Sequence, residues 1–351
     1  MERQSLAVGA LPALCSAFLF GVTTPLAKAL LVSAHPLVTA GLLYLGSGLG
    51  LTLWILVQDH GRFSAGVPRS DWPWLTGTVM CGGVAAPALL MYGLAQADAA
   101  TAALLLNLEV VFTALIAWIA FTEATSRRVV AGFVAIFVGS VLLVLPGQSL
   151  RPTPVGSLAA IAGACLFWAV DNNLTRRISA GDARGIAAIK GLAAGVGNTA
   201  LALAMGAALP RATLTADALG LGFLGYGVSL VLFVYSLRNI GTARTSAYFA
   251  TAPFIGSALA IALYGQGGGM AFWAAAAFMV LGVWLHLTEH HAHEHGHEAL
   301  THNHAHVHDE HHQHEHGATW DGSEPHSHEH RHEPLRHSHP HFPDIHHQHA
   351  H

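Results

Sequence analysis

Between residues 8 and 288 the chain is a succession of apolar stretches of helix length, divided by short polar breaks. Ten such stretches fall at roughly 8–32, 35–58, 72–95, 98–121, 127–146, 155–178, 184–208, 216–238, 242–264 and 270–288. A helix needs about 20 apolar residues to cross the hydrocarbon core of a bilayer, and each stretch is close to that length. Backbone N–H and C=O groups find no partner in lipid, so the stretches are expected to be transmembrane helices. Charged residues make up 10% of the chain, against about a quarter in soluble domains. Such a surface excludes a water-soluble fold for this part. The N-terminal stretch is too long for a signal-peptide core and lacks a small-x-small cleavage pattern, so it is read as the first span. Cys15, Cys81 and Cys165 lie inside apolar stretches without CxxC spacing and are expected to pack, not to pair.

Orientation follows from the Lys/Arg bias of the breaks. With the N-terminus cytoplasmic, only Lys28, Arg151 and Arg211 among the basic residues of 1–288 fall toward the outer face. The chain also repeats itself weakly. Phe20-Gly21-Val22-Thr23 through Lys28 lines up with Trp168-Ala169-Val170-Asp171 through Arg176, and Tyr92-Gly93-Leu94 with Tyr235-Ser236-Leu237. The Phe112-Thr113-Ala114-Leu115 stretch answers Gly256-Ser257-Ala258-Leu259, and the offsets stay between 143 and 148 residues. Five spans per half is an odd number, so the halves are expected to be inverted in the membrane, with the substrate site near the midplane between them. The expected fold is an all-α membrane protein. Ten transmembrane helices form two inverted five-helix repeats, at 8–146 and 155–288, followed by a tail at 289–351.

Two segments carry a resemblance. The stretch Ala99 to Leu104, then Asn107-Leu108-Glu109-Val110-Val111-Phe112-Thr113-Ala114-Leu115, Phe121-Thr122-Glu123 and Gly132 to Gly139, resembles the end of an EamA repeat of the drug/metabolite transporter superfamily. The second half, from Gly156 through Asp171-Asn172-Asn173-Leu174-Thr175-Arg176 and Lys190-Gly191 to Leu287, resembles a second copy. The resemblance implies a ten-helix secondary transporter, often an exporter of amino acids or other small metabolites. It departs from the pattern where Gln266-Gly267 stands in the place of Glu123, and the tail lies outside it.

Charges inside a membrane cost about 2.5–3.5 kcal/mol or more at its centre, so each calls for a reason. Glu109 falls mid-span and is the first candidate for proton coupling or substrate contact; the alternative is a packing hydrogen bond. Asp171, flanked by Asn172 and Asn173, either faces a cavity or pairs with Arg176, Arg177 or Lys190. Lys190, inside the seventh span, is that partner or a snorkelling side chain. Asn107, Asn172 and Asn198 complete the candidate transport residues. Pro25 and Pro253 are read as kinks. Glu123 is expected to pair with Arg127 and Arg128, and His35 and His60 to be inert loop residues. Gly46 with Gly50, and Gly191 with Gly195, have the spacing that lets helices approach closely within one chain.

The tail is of another character. Residues 289–351 hold 24 of the 27 histidines and carry a net charge of −9, while 1–288 carry +5. His-x-His recurs at His291/His293, His295/His297, His302/His304/His306/His308, His326/His328/His330/His332 and His337/His339/His341. Residues two apart in an extended chain project to one side, and imidazole suits Ni, Zn, Co and Cu. These histidines are therefore candidate ligands for a divalent metal, with no fixed structure expected in its absence. An expression tag is excluded because no run of six histidines exists.

The expected function is a secondary exporter of a small amino-acid-like or drug-like metabolite, proton-coupled through Glu109. It sits in a bacterial-type inner membrane, with its N-terminus and metal-binding tail cytoplasmic. The first alternative is a transporter of divalent Ni, Co or Zn, or of a metal chelate; the second is a metal-binding membrane protein that does not transport. No nucleophile–base pair or HExxH pattern points to an enzyme, no cofactor is required, and the acidic tail argues against nucleic acid. The partners are a small-molecule substrate, the lipid bilayer and divalent metal ions; no oligomer is indicated.

Overall fold

A computed structural model describes residues 2–63, 67–121, 127–144, 153–178, 182–265 and 269–287, and in the tail 292–297, 300–306, 326–332 and 335–340. Glu123 and Arg151 lie outside these residues. The body, up to Leu287, is built of helices. They are α1 (Glu2–Leu30), α2 (Pro36–Gln58), α3 (Trp72–Thr78), a π-helical turn π1 (Val79–Ala85), α4 (Ala86–Gln96), α5 (Ala99–Leu105), α6 (Leu108–Phe121) and α7 (Arg127–Val144). Then follow α8 (Val155–Ile178), α9 (Ala183–Ala204), α10 (Ala212–Gly222), a second π-helical turn π2 (Phe223–Val228), α11 (Ser229–Phe249), α12 (Ala252–Tyr264) and α13 (Met270–Leu287). Seven helical runs are long and apolar enough to cross a membrane, with shorter apolar helices at Val130–Leu143, Ala252–Tyr264 and Met270–Leu285. The protein is an integral membrane protein.

Local chemistry accounts for the helix starts. Pro36 opens α2, and the His35 side chain accepts from Leu37 N–H, so His35 is a helix cap. Asp98 starts α5 by accepting from Thr101 N–H at 2.8 Å. Asp182 starts α9 by accepting from Arg184 N–H at 3.1 Å. The helices differ from the sequence reading at the expected spans 127–146, 242–264 and 270–288, which are shorter apolar helices, and in the placing of two breaks. The stretch 98–121 is broken at Leu106–Asn107, where the backbone switches to i→i+3 bonds such as Asn107 N to Leu104 O. The break expected at Arg238–Asn239 is absent: α11 runs on to Phe249, and the interruption comes at Ala250–Thr251. Two polar residues without a proline do not oblige a helix to stop.

The discontinuities recur at one spacing. π1 and π2 begin 144 residues apart, at Val79 and Phe223, and so do α6 and α12, at Leu108 and Ala252. Packing follows the same pattern. α2 lies along α9, α7 along α13 and α5 against α12, while α1 packs on α11 and α12 as α8 packs on α4 and α6. A Cβ at Gly82 in π1 would overlap the Asp171 carboxylate, and one at Gly225 in π2 would overlap the Thr23 hydroxyl. Thr23 and Asp171 are the residues that the internal repeat sets against each other.

The small residues serve packing within the chain. A Cβ at Gly195 would come 2.5 Å from the Leu45 nitrogen, and one at Gly191 2.5 Å from the Gly48 nitrogen, so α9 and α2 cross with backbones nearly touching. Gly46 and Gly50 turn to Leu219 and the Phe223 ring instead. Of the cysteines, Cys165 is buried and Cys81 partly so; Cys15, expected to be buried, is exposed on α1.

Lys28 does more than snorkel. Its ammonium donates to the carbonyls of Leu94, Ala95 and Ala97 at 2.7, 2.9 and 2.8 Å, which closes the C-terminal end of α4. Helix ends leave such carbonyls unpaired, and a cation there is favoured by the helix dipole. Hydrogen bonds to a charged group contribute about 1.5–3 kcal/mol. Lys28→Met is therefore expected to lower the unfolding temperature in detergent, whereas a snorkelling lysine would leave it unchanged.

In the tail, Ala292–His297 (β1) pairs antiparallel with Leu335–Pro340 (β4), and Leu300–His306 (β2) with His326–His332 (β3). Alternation with period two is itself a strand pattern. The register sets His293 opposite His339 and His295 opposite His337, and likewise His302, His304 and His306 opposite His330, His328 and His326. His291, His308 and His341 lie outside the described residues.

Candidate functional site

The polar centre of the body starts from π1. A π-turn displaces backbone carbonyls from the ordinary i→i−4 ladder, and in lipid each must find another partner. Gly82 O accepts from Tyr44 Oη of α2 at 2.7 Å and from Trp168 Nε1 of α8 at 3.1 Å. Gly83 O accepts from Asn198 Nδ2 of α9 at 3.1 Å. Two adjacent glycines let α8 and α9 come close enough to do this; a Cβ at Gly83 would sit 2.6 Å from the Ala194 Cβ.

Directly beside Gly82, Asp171 of α8 forms an ion pair with Lys190 of α9. Thr175 Oγ1 donates to the other Asp171 oxygen at 3.2 Å. The side chains of the pair are 6% and 17% exposed, so water screens it little. Lys190 is thus a partner that Asp171 takes.

The next residue carries the network to α6. Asn172 Nδ2 donates to Glu109 Oε1 at 2.9 Å and reaches Thr113 Oγ1 at 3.4 Å. Asn173 Nδ2 donates to Thr113 O at 3.2 Å and to Ala169 O at 2.8 Å. Glu109 is the second residue of α6, just past the break at Leu106–Asn107. A carboxylate there faces the positive end of the helix dipole. Asn172 is exposed and Glu109 partly so, although both sit within helices of membrane-crossing length.

Four of the sequence candidates thus form two neighbouring pairs on α8, Asp171 with Lys190 and Asn172 with Glu109. Asn107 does not join them: fully buried, it donates to Leu104 O at 2.9 Å and lies 3.9 Å from the Met279 sulfur. Its Oδ1 and that of Asn198 are buried without a hydrogen-bond partner among the described residues. Tyr44, Thr113 and Trp168 were not legible as site residues, since each is ordinary in an apolar span. The adjacent glycines at 82–83 were the available signal. Outside the spans, Arg184 bridges Asp182, Asp59 and Gln58 at 3.3, 3.4 and 3.1 Å and ties the end of α2 to the start of α9. Among the described residues no group of three or more His, Cys, Asp or Glu is set to hold a metal ion.

Residues 7–145 match the EamA-like transporter family. The chain is 28% identical over 259 residues to an uncharacterized transporter of Methanothermobacter thermautotrophicus, covering 69% of this chain and 75% of that protein. A crystal structure of a protein 20% identical in sequence superposes with a TM-score of 0.60 over 80% of this chain and 98% of its own, a likeness of fold.

Proposed function

Starting from the EamA-like transporter domain at residues 7–145, we propose that the whole chain is a proton-coupled secondary transporter that exports a small metabolite. The observation that carries this reading is the Glu109–Asn172 contact, a carboxylate and an amide joined across two membrane helices, the amide exposed and the carboxylate partly so. Residues 155–288 act as the second, inverted repeat. The 144-residue spacing of the π-turns and helix breaks supports this, as does the match of Gly82/Asp171 with Gly225/Thr23. Broken helices at equivalent places in two halves are where such proteins hold substrate. Glu109 carries the proton, and Asp171–Lys190 holds α8 against α9. The N-terminus and the tail are cytoplasmic, in a bacterial-type inner membrane.

In proteoliposomes with an imposed pH gradient, substrate-driven proton movement should be present in the wild type. Glu109→Gln should lose it by about 100-fold or more, the lower end of what a positioned acid–base group contributes. Equal proton movement in the variant would remove Glu109 from the mechanism.

The tail binds divalent metal. The recurring His-x-His pattern and the register that sets histidine opposite histidine support this, since opposite residues in an antiparallel pair share a face. Titration of the full chain with Ni²⁺ or Zn²⁺ should show several sites, absent from a chain ending at Leu287. The sites should be lost at about pH 5, where imidazoles of ordinary pKa, about 6.5, are protonated. Equal binding without the tail would place the metal elsewhere.

A further inference from the structure

The pairing of the tail strands is nested. β1 meets β4 and β2 meets β3, so the segment from Ala292 to His306 doubles back on that from His326 to Pro340. In the outer pair the register sets His293 opposite His339 and His295 opposite His337. Residues alternate between faces along a strand, and directly opposite residues share a face. These four histidines therefore belong to one face, two from each strand. Glu294 with Ser338 and Gly296 with Arg336 belong to the other face, and the opposed histidines end where His297 meets Leu335.

The spacing fits one ion. The four positions form a rectangle about 4.5–5.5 Å across the strands and about 7 Å along them, twice the rise per residue. The tail holds no cysteine, so the donors are imidazole nitrogens. Four of them in tetrahedral array suit Zn²⁺, with bonds of about 2.0–2.1 Å; Ni²⁺ prefers square-planar or octahedral sites. A single His-x-His supplies only half of such a set. A two-stranded sheet alone is marginally stable in water. Where ligands meet only on folding, metal-binding free energy is folding free energy.

We propose that His293, His295, His337 and His339 form one shared tetrahedral site for Zn²⁺ or Co²⁺, whose ion fastens β1 to β4. The proposal rests on the reading of the tail as a metal binder and names a site within it.

The test is the metal content of the full-length protein in detergent after dialysis against Zn²⁺, with the visible spectrum of the Co²⁺-loaded protein. Three variants are compared with the wild type: His293→Gln with His295→Gln, His337→Gln with His339→Gln, and all four together. Each paired variant should lose about one ion per chain, and the fourfold variant no more than either, since coupled positions are not additive. Losses that add, or no loss, would overturn the shared site while leaving a metal-binding tail. The wild-type Co²⁺ spectrum should show tetrahedral intensity that falls equally in both paired variants; an octahedral spectrum throughout would also overturn the shared site. Metal content equal to that of a chain ending at Leu287 would overturn the metal-binding tail and the site with it.

Discussion

Lys190→Met is expected to destabilise the folded protein by about 3–5 kcal/mol, the usual cost of stranding one member of a buried ion pair. Asp171, now 6% exposed, would keep Thr175 Oγ1 as its side-chain partner among the described residues. Gly82 lies directly against the carboxylate. Neutralising both members should restore most of the loss, because Asp171→Asn with Lys190→Met leaves no buried charge. Thermal unfolding of the two single variants and the double variant in one detergent checks this. A double variant as unstable as the sum of the singles would show that the pair is not the unit that matters.

Gly191→Val is expected to abolish folding or cost beyond about 3 kcal/mol, the upper range for overpacking. The new Cβ would lie 2.7 Å from the Gly48 Cα and 3.0 Å from the Tyr44 carbonyl oxygen. These are backbone atoms, so α2 and α9 would have to separate along their whole contact. Separation would also pull Tyr44 from Gly82 and Asn198 from Gly83. Gly197, on the same helix, has nothing within 4 Å of its Cβ position. Gly197→Ala should be neutral or stabilise slightly through helix propensity. Yield and monodispersity by size-exclusion chromatography separate the two; similar behaviour would contradict the close crossing.

Seven of the ten expected spans stand as helical runs long and apolar enough to cross a membrane, because lipid enforces a length and a composition, and Pro36, Asp98 and Asp182 mark helix starts by chemistry visible in the sequence. The small-residue pairs read correctly as contacts within the chain. The break at Leu106–Asn107 was hidden because no proline or glycine marks it. Arg238–Asn239 misled in the opposite direction: their polarity read as a loop in what is a continuous helix. The Asp171–Lys190 pair could be named because unpaired charges are costly in lipid. The reach of Asn172 to Glu109 depends on how α8 packs on α6, 63 residues away in sequence. The π-turn and its three donors arise only once four helices are assembled, and the adjacent glycines at 82–83 are the one local sign of them.

The central claim is that the membrane body moves a small metabolite and that the tail handles metal separately. It is tested most directly in cells expressing the full chain, a chain ending at Leu287, or Glu109→Gln, with export of metabolites and cellular Ni, Co, Zn and Cu measured together. Metabolite export is expected from the full and shortened chains but not from Glu109→Gln, with metal retention that depends on the tail alone. Lower metal content in cells carrying the tail-less body, lost again in Glu109→Gln, would contradict it and make the metal the cargo.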